Sequence, residues 1–226
     1  MKLLILGRGK TGSLVAEVAR HRRHHIEILG LAENRGASAL VPAKLSGFDC
    51  VIDFTGPEAV VANIEACIAA RKNVVVGTTG WYNELPRLRK SAEANDVGLL
   101  VASNFSIGMN LFLDIVRVAA SAIAHEYKGQ IFERHHAQKK DAPSGTAMIL
   151  QKIIQEQTGE TLEITSFREG DVVGMHEIAF DSPNDRIYLC HDAKSRRGFA
   201  EGAVRSAEWL AGKKGFYDFK DVWKEL

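Results

Sequence analysis

Residues 7–12 constrain the fold of this chain more than any other part of its sequence. They read Gly7, Arg8, Gly9, Lys10, Thr11 and Gly12, which fits G-x-G-x-x-G, and they lie between an apolar run and a helical pattern. Glycines at these places allow a tight turn and let the backbone approach a pyrophosphate, while the following helix start offers free N–H groups. The segment therefore predicts the strand, turn and helix of a dinucleotide-binding domain.

Short apolar runs alternate with helical patterns through the first 106 residues. Strands are expected at 3–6, 26–32, 51–54, 73–76 and 97–102, and helices at 13–20, 57–71 and 84–95. Strand–helix–strand repeats with short links favour right-handed crossovers and a parallel sheet that is covered on both faces. We therefore expect an α/β fold whose domain at residues 1–106 is a Rossmann-like, doubly wound parallel sheet.

The second half of the chain has a different pattern. Helices are expected at 109–125, 144–157 and 199–211, and strands at 130–136, 162–167, 172–180 and 186–191. Successive strands without helices between them indicate a mostly antiparallel sheet in a smaller α+β domain. We place this domain at residues 107–202 and expect the C-terminal helix and tail, 203–226, to pack back on the first domain.

The composition excludes several classes of protein. The 226 residues are 46% hydrophobic and 25% charged, which is ordinary for a globular protein, and 29 Lys and Arg against 28 Asp and Glu give no broad basic face for nucleic acid. Three widely spaced cysteines without a CxxC pair argue against a disulfide framework and a zinc site, and indicate a reducing cytoplasm. No apolar run looks long enough to span a bilayer, and the first residues do not resemble a signal peptide.

Charged residues near the end of the second strand bear on the choice of dinucleotide. Glu33 follows Gly12 by 21 residues, where a carboxylate can accept the hydroxyls of an adenosine ribose. That carboxylate would repel a 2′-phosphate, whereas Arg35 and Lys10 would attract one. The residues therefore leave both NADH and NADPH open.

Two further turns follow strands in the first domain. They are GTTG at 77–80 and SNFS at 103–106. Ligands of doubly wound sheets bind at the carboxyl ends of the strands, and small residues there would let a nicotinamide ring lie against the backbone. Each turn taken alone is equally consistent with an ordinary turn.

The most informative polar segment is 132–146. It places two His and two Lys within residues 135–140, and a Pro-Ser-Gly-Thr turn then begins a helix. The N–H groups of that helix start, with the hydroxyls of Ser144 and Thr146, can hold a carboxylate, and the lysines add charge for a second one. The segment favours a small dicarboxylate ligand, over which Arg196 could close.

Other interpretations of this segment are weaker. A cationic run is usually a solvated face, but this one leads into an anion-binding helix start. Adjacent histidines in a strand point to opposite faces and are poor joint metal ligands, so we expect no metal. Ser144 lacks the G-x-S-x-G context of a nucleophile.

Together these motifs resemble the family of 4-hydroxy-tetrahydrodipicolinate reductases, also called dihydrodipicolinate reductases. The matching segments are VIDFT at 51–55, GTTG at 77–80, SNFSIG at 103–108 with Asn110, ERHH at 133–136, Lys139 with DAPSGTA at 141–147, and GAVRSA at 202–207 with Trp209 and Leu210. The resemblance covers nearly the whole chain.

The resemblance implies an oxidoreductase of lysine and diaminopimelate biosynthesis that reduces its substrate with NADH or NADPH and releases water. It implies His135 as proton donor or acceptor and Lys139 as proton donor. Substrate carboxylates would contact His136, Ser144, Gly145, Thr146 and Arg196. Cofactor contacts would fall on residues 7–12, Glu33, Arg35, Gly77, Thr78, Thr79, Ala102, Ser103, Asn104 and Phe105. Family members are typically homotetramers that are joined through the sheet of the second domain.

The chain departs from the family in length and in its glycine turn. Residues 34–49 condense a longer family segment, and Lys10 and Thr11 replace a usual Arg-Met pair. Two rival functions remain, another NAD(P)H oxidoreductase such as an amino-acid or imine dehydrogenase, and a dinucleotide sensor without catalysis. A sensor would not need two candidate proton donors beside a carboxylate site, so the Lys139 segment favours an enzyme.

Overall fold

The computed structural model describes all 226 residues, which divide into two compact units. Unit one comprises Met1–Ile107 and Arg197–Leu226, and unit two comprises Gly108–Arg196. The sequence predicts the second boundary after residue 202, within the helix that begins at Arg197. The structure keeps that helix whole in unit one because its small side chains, Ala200 and Ala203 among them, are buried in the core there.

Ten strands and eight α-helices make up the chain. The strands are β1 (Lys2–Leu6), β2 (His25–Leu29), β3 (Cys50–Asp53), β4 (Val74–Val76), β5 (Gly98–Val101), β6 (Lys128–His135), β7 (Ile164–Arg168), β8 (Met175–Asp181), β9 (Arg186–Asp192) and β10 (Gly215–Asp218). The helices are α1 (Lys10–His21), α2 (Pro42–Leu45), α3 (Pro57–Ala69), α4 (Leu85–Ala94), α5 (Ile107–Ala119), α6 (Gly145–Thr158), α7 (Arg197–Trp209) and α8 (Phe219–Val222).

Unit one contains a six-stranded sheet with the order β10-β5-β4-β3-β1-β2, and every neighbouring pair is parallel. Alternate residues of β1 face opposite sides of the sheet. Leu3 and Ile5 join the core that contains residues of α1 and α7, whereas Leu4 and Leu6 join the core that contains residues of α3 and α4. The predicted doubly wound sheet is confirmed, and burial on both faces explains why the central strands are apolar along most of their length.

The strand order places a crevice at the carboxyl ends of β1 and β3. The chain runs from β1 to β2 on one side and then crosses to β3 on the other side of β1. Ligands of such sheets bind where the winding direction changes. The turns after β1, β3, β4 and β5 all lie at this edge, because parallel strands end on the same side.

Unit two contains a four-stranded sheet with the order β7-β6-β8-β9. The β6–β8 and β8–β9 pairs are antiparallel, and the β6–β7 pair is parallel. The expected, mostly antiparallel sheet is therefore confirmed. Phe112 of α5, Leu150 of α6, and Ile131 and Ile178 of the sheet share one apolar core.

Two features differ from what the sequence indicated. Strand β10 was not predicted, since it is a four-residue, half-buried edge strand with little apolar signal. The second is the segment Ile107–His125, which is long and apolar enough to cross a membrane, contrary to the expectation that no such run exists. This segment joins α5 to a 3-10 turn and buries Met109, Phe112 and Val116, and core helices of soluble proteins meet the same criteria.

Candidate functional site

The glycines of residues 7–12 are required by the backbone around them. Gly7 has φ +103°, and a Cβ there would lie 2.1 Å from the carbonyl oxygen of Phe54. A Cβ on Gly12 would lie 2.1 Å from the carbonyl oxygen of Gly7. Gly9 meets nothing within 4 Å and stands at the N-cap of α1. The turn is therefore as tight as a phosphate-binding turn must be.

The start of α1 opens into a cleft of about 310 Å³. The N–H groups in the first turn of any α-helix have no partner within the helix. In α1 no side chain caps them either. The cleft is lined by Gly9, Lys10, Thr11, Gly12, Phe54, Thr55, Pro57, Gly77, Thr78 and Thr79. Unpaired N–H groups at a helix start suit a pyrophosphate, so the residues present fit a dinucleotide.

A second cleft, of about 200 Å³, lies at the same edge of the sheet. It is lined by Thr11, Phe54, Gly77, Ser103, Asn104, Phe105 and Phe199. The structure thus brings together the turns after β1, β4 and β5, which the sequence singled out separately. Ala102 is buried, and its N–H donates to the carbonyl of Val76.

Asp53 holds the turns that follow β3 and β4. This fully buried carboxylate accepts hydrogen bonds from the backbone N–H of Thr55, from its hydroxyl at 2.7 Å, and from the hydroxyl of Thr78 at 2.7 Å. Its other oxygen accepts from the amide of Asn63 at 2.8 Å. The sequence motifs alone give Asp53 no role of its own. A carboxylate that ends a wholly apolar strand is the signal that could have found it.

Glu33 is already paired within unit one. The guanidinium of Arg8 donates to both carboxylate oxygens, at 2.9 and 3.1 Å, and the N–H of Gly30 donates at 2.6 Å. The Gly30 N–H, followed by Arg8, lowers the pKa of Glu33 below its ordinary value. Arg35 lies exposed on a short 3-10 turn. The charge beside Glu33 therefore comes from Arg8, which the sequence assigned only to the turn.

In unit two, His135 and Glu133 form a buried pair on β6. They are two residues apart on one strand and so share a face, and Glu133 accepts a hydrogen bond from Nδ1 of His135. Because a carboxylate can only accept, Nδ1 carries the hydrogen and Nε2 is left for chemistry. In the sequence, Glu133 is visible only as part of the ERHH motif.

The charges around this pair keep the carboxyl ionised and the imidazole neutral. Burial, the largest single cause, raises the pKa of Glu133, but Arg168, Ser166 and His135 together outweigh it, and the pKa lies below its ordinary value. Burial lowers the pKa of His135, and Glu133 opposes that shift only in part. His135 is therefore predominantly neutral at pH 7.

Gly174 leaves space beside the free nitrogen of His135. A Cβ at position 174 would lie 3.1 Å from Nε2. Gly174 precedes β8, the strand that pairs with β6. Any larger side chain there would crowd the one nitrogen of His135 that Glu133 does not hold.

Lys139 lies on the loop that follows β6 and is held by Asp141. Its ammonium donates to both carboxylate oxygens at 2.7 Å, and this contact lowers the pKa of Asp141. The Lys139 side chain is 21% exposed, so it remains partly open to solvent. The carbonyl oxygen of Asp141 accepts a 2.5 Å hydrogen bond from Arg168, which joins the loop to the sheet.

Ser144 begins α6 and is joined to the histidines. Its Oγ accepts a hydrogen bond from the N–H of Ala147 and lies 3.2 Å from Nε2 of His176. The rings of His176 and His135 meet edge to face, with centroids 5.2 Å apart. Burial, with His135 second, lowers the pKa of His176 to about 4. The sequence gave His176 no role, because its partners come from other elements.

The remaining sequence candidates lie around this cluster. Gly145 is exposed and Thr146 is half-buried, both in the first turn of α6. His136 is half-buried, and its carbonyl accepts from the N–H of Lys139. Arg196, at the end of unit two, is half-buried, and no hydrogen bond or ion pair joins it to the cluster.

Glu133, His135 and His176 also form a group that could offer ligand atoms to a metal ion, all within 4.8 Å of one another. In the sequence, only the adjacent pair His135 and His136 suggests joint metal ligands, and that pair is a poor one. In the structure, Nη2 of Arg168 donates a hydrogen bond to a carboxylate oxygen of Glu133 at 2.7 Å. Nε2 of His176 lies within hydrogen-bond distance of the Ser144 hydroxyl. This arrangement favours an ion-paired network over a cation site.

The comparisons with known proteins agree across both units. Residues 1–105 match the family model described as dihydrodipicolinate reductase, N-terminus, and residues 108–223 match the C-terminal model of the same family. The 4-hydroxy-tetrahydrodipicolinate reductase of Christiangramia forsetii is 35% identical over 240 residues, covering 100% of this chain and 99% of that protein. The enzyme of the same name from Neisseria gonorrhoeae is 31% identical over 262 residues, covering 98% and 97%.

The fold is shared with a solved structure of dipicolinate-bound dihydrodipicolinate reductase from Paenisporosarcina sp. TG-14. The TM-score is 0.80 at 24% identity, covering 98% of this chain and 99% of that one. The motifs, the fold and the whole-length matches lead to one conclusion. The chain belongs to the dihydrodipicolinate reductase family.

Proposed function

We propose that this chain reduces 4-hydroxy-tetrahydrodipicolinate to tetrahydrodipicolinate in lysine and diaminopimelate biosynthesis, with His135 and Lys139 handling the protons. Family membership makes it an oxidoreductase that uses a nicotinamide cofactor. Substrate, reduced cofactor and one proton yield tetrahydrodipicolinate, oxidised cofactor and one water. The observation that carries the assignment of residues is the unit-two cluster, in which His135, Lys139 and Ser144 are linked through Glu133, Arg168 and His176.

The cofactor, as NADH or NADPH, binds along the turns of unit one and supplies the hydride. Residues 7–12 and the start of α1 hold its pyrophosphate. Glu33 and Arg8 contact the adenosine ribose, and Arg35, close to Glu33 in sequence, belongs to the same contact region. Residues 77–79 and 102–105 contact the nicotinamide half. The clefts, their unpaired N–H groups and the close-packed glycines support this placement.

The start of α6 holds one carboxylate of the substrate. Ser144 and Thr146 offer hydroxyls there, and the N–H groups of the first turn, that of Gly145 among them, add partial positive charge. His136 and Arg196 serve the second carboxylate. The dipicolinate in the Paenisporosarcina structure is a ligand of that protein, and we assign the same class of small dicarboxylate to this chain.

His135 and Lys139 have different tasks because Lys139 offers an ammonium group that Asp141 holds, whereas His135 offers a ring nitrogen that Glu133 leaves free. Loss of the 4-hydroxyl group and a neighbouring ring proton as water leaves a C=C bond conjugated with the ring C=N bond. Hydride addition to the far carbon of that C=C bond gives an electron-rich, enamine-like species, which takes up a proton on the carbon next to the former C=N bond from a positioned acid. The Lys139 ammonium donates it once the substrate draws it from Asp141. The neutral His135 exchanges a proton at Nε2 while its Nδ1–H remains hydrogen-bonded to Glu133. The nearby cations stabilise developing negative charge.

The proposal extends to the assembly and its location. Subunits associate as homotetramers in the cytoplasm through the sheet of unit two. Its outer strand β9 is an edge strand with Ile187 and Tyr188 exposed, which suits pairing with another subunit. Light scattering of the purified protein tests the subunit number.

Coupled turnover tests the reaction. Dihydrodipicolinate synthase with pyruvate and aspartate semialdehyde generates the substrate, and cofactor absorbance is followed with NADPH and with NADH. We expect absorbance to fall only when the synthase is present. No fall with either cofactor would reject the reaction. His135→Gln and Lys139→Ala should each lower kcat by roughly two orders of magnitude. Unchanged turnover in both would remove these residues from it.

A further inference from the structure

We propose that Arg168 is a positioning residue that holds His135 and Lys139 in one working arrangement. Nothing in the sequence motifs assigned a role to this residue. The inference rests on the proposed function, because it concerns the same site. Arg168 itself is 18% exposed in its side chain and touches neither the imidazole nor the ammonium directly.

Arg168 contacts the strand of the sheet that carries His135. Arg168 ends β7 and lies beside His135 in the parallel register of β6 and β7. Its Nη2 donates to one oxygen of Glu133 at 2.7 Å, and the other oxygen of Glu133 accepts from Nδ1 of His135. The guanidinium therefore keeps Glu133 ionised, and the ionised Glu133 fixes the tautomer and orientation of the imidazole.

Arg168 also contacts the loop that carries Lys139. The same Nη2 donates to the carbonyl oxygen of Asp141 at 2.5 Å, while the carboxylate of Asp141 holds the Lys139 ammonium. Nη1 donates to the carbonyl of Phe167 at 2.6 Å, which anchors the guanidinium on its own strand. One planar group thus reaches both the strand that carries His135 and the loop that carries Lys139.

A lysine at position 168 would not reproduce these contacts. It could supply the positive charge beside Glu133, but it lacks a second nitrogen like Nη1, whose bond to the Phe167 carbonyl fixes the plane of the guanidinium while Nη2 contacts strand and loop. The Nε of Arg168 is buried without a hydrogen-bond partner. An unpaired buried N–H lowers the free energy of unfolding. We therefore attribute the position of the guanidinium to its contacts with Glu133 and Asp141 rather than to a gain in stability.

The charge of Arg168 also affects the titration of His135. The groups that face His135 are Glu133 on its own strand, Arg168 on β7, His176 on β8 and Lys139 on the loop. Arg168 and Lys139 lower the pKa of His135, whereas Glu133 raises it. Removing the charge of Arg168 should therefore raise that pKa and move the acid limb of the pH–rate profile to higher pH.

The test compares Arg168→Met, Arg168→Lys and the control Arg134→Met. Arg134 is a neighbouring sheet arginine that pairs with Glu169 on the other face of β6, away from His135. We expect Arg168→Met to lower kcat by roughly tenfold to a hundredfold with a smaller change in KM, and to move the acid limb upward. Arg168→Lys should restore the limb but recover kcat only in part. Arg134→Met should leave both unchanged.

NMR titration of the His135 ring without substrate gives a readout that is independent of turnover. If wild type turns over but Arg168→Met matches Arg134→Met in kcat and titration, the positioning role is wrong. If Arg168→Met does not fold, Arg168→Lys decides, and full wild-type kcat in it would equally overturn the role. A titration shift in Arg168→Met, with wild type inactive toward every substrate tried, would uphold the positioning contact and reject the proposed function.

Discussion

His176 makes the stability of this protein depend on pH in a way that can be worked out from its surroundings. The ring is buried between Ser144 and His135, and its pKa falls from the ordinary 6.5 to about 4. In the unfolded chain, His176 therefore binds a proton as the pH falls through 6.5. In the folded chain it binds that proton only as the pH falls to about 4. The free energy of unfolding therefore keeps the full contribution of the neutral His176 above pH 6.5 and loses it as the pH falls towards 4.

The size of this effect follows from the shift. At about 1.4 kcal/mol per pKa unit, the full shift corresponds to about 3 kcal/mol, of which about 2 kcal/mol should be lost between pH 7 and pH 5. The variant His176→Gln keeps an N–H near Ser144 but has no titrating ring. Its free energy of unfolding should therefore fall less than that of wild type over this interval.

Urea unfolding at pH 7, 6 and 5, followed by circular dichroism, measures the difference between wild type and variant. His135 is present in both proteins, so its own lowered pKa largely cancels. His125→Gln, which removes an exposed ring from the same unit, is the control and should track wild type. A difference between wild type and His176→Gln that stays constant from pH 7 to pH 5 would refute the reasoning.

Three further substitutions and one control test the start of α6, the glycine turn and the arginine within that turn. Ser144→Ala removes the side-chain cap of α6, which should lower the free energy of unfolding by about 1 kcal/mol. It also removes a hydroxyl that binds the substrate carboxylate, so KM should rise roughly tenfold. An unchanged KM would show that Ser144 does not bind the substrate. Gly7→Ala forces a Cβ against a backbone oxygen and should lower both Tm and cofactor affinity, whereas Gly9→Ala, with open space around it, should leave Tm unchanged. Arg8→Ala exposes the charge of Glu33, so fluorescence titration should show NADPH binding weakened about fivefold more than NADH binding; equal weakening would contradict this role.

The fold of unit one could be predicted because its signals are local. An apolar run, a glycine turn and an amphipathic helix are adjacent in sequence, and they form adjacent elements in space. The boundaries differ where the local signal is weak. Helix α1 begins at Lys10, inside the glycine turn, and β2 ends at Leu29, where Gly30 turns toward Glu33.

The candidate active site was only partly visible for the same physical reason. His135, Lys139 and Ser144 lie within ten residues of one another, so one segment of sequence contains them all. Arg168 and His176 reach them through the pairing of β6 with β7 and with β8. That register depends on which strands pair and in which direction, which alternation of apolar residues does not specify. The groups that would undergo chemistry were therefore predictable, whereas the groups that set their charge and orientation required the assembled sheet.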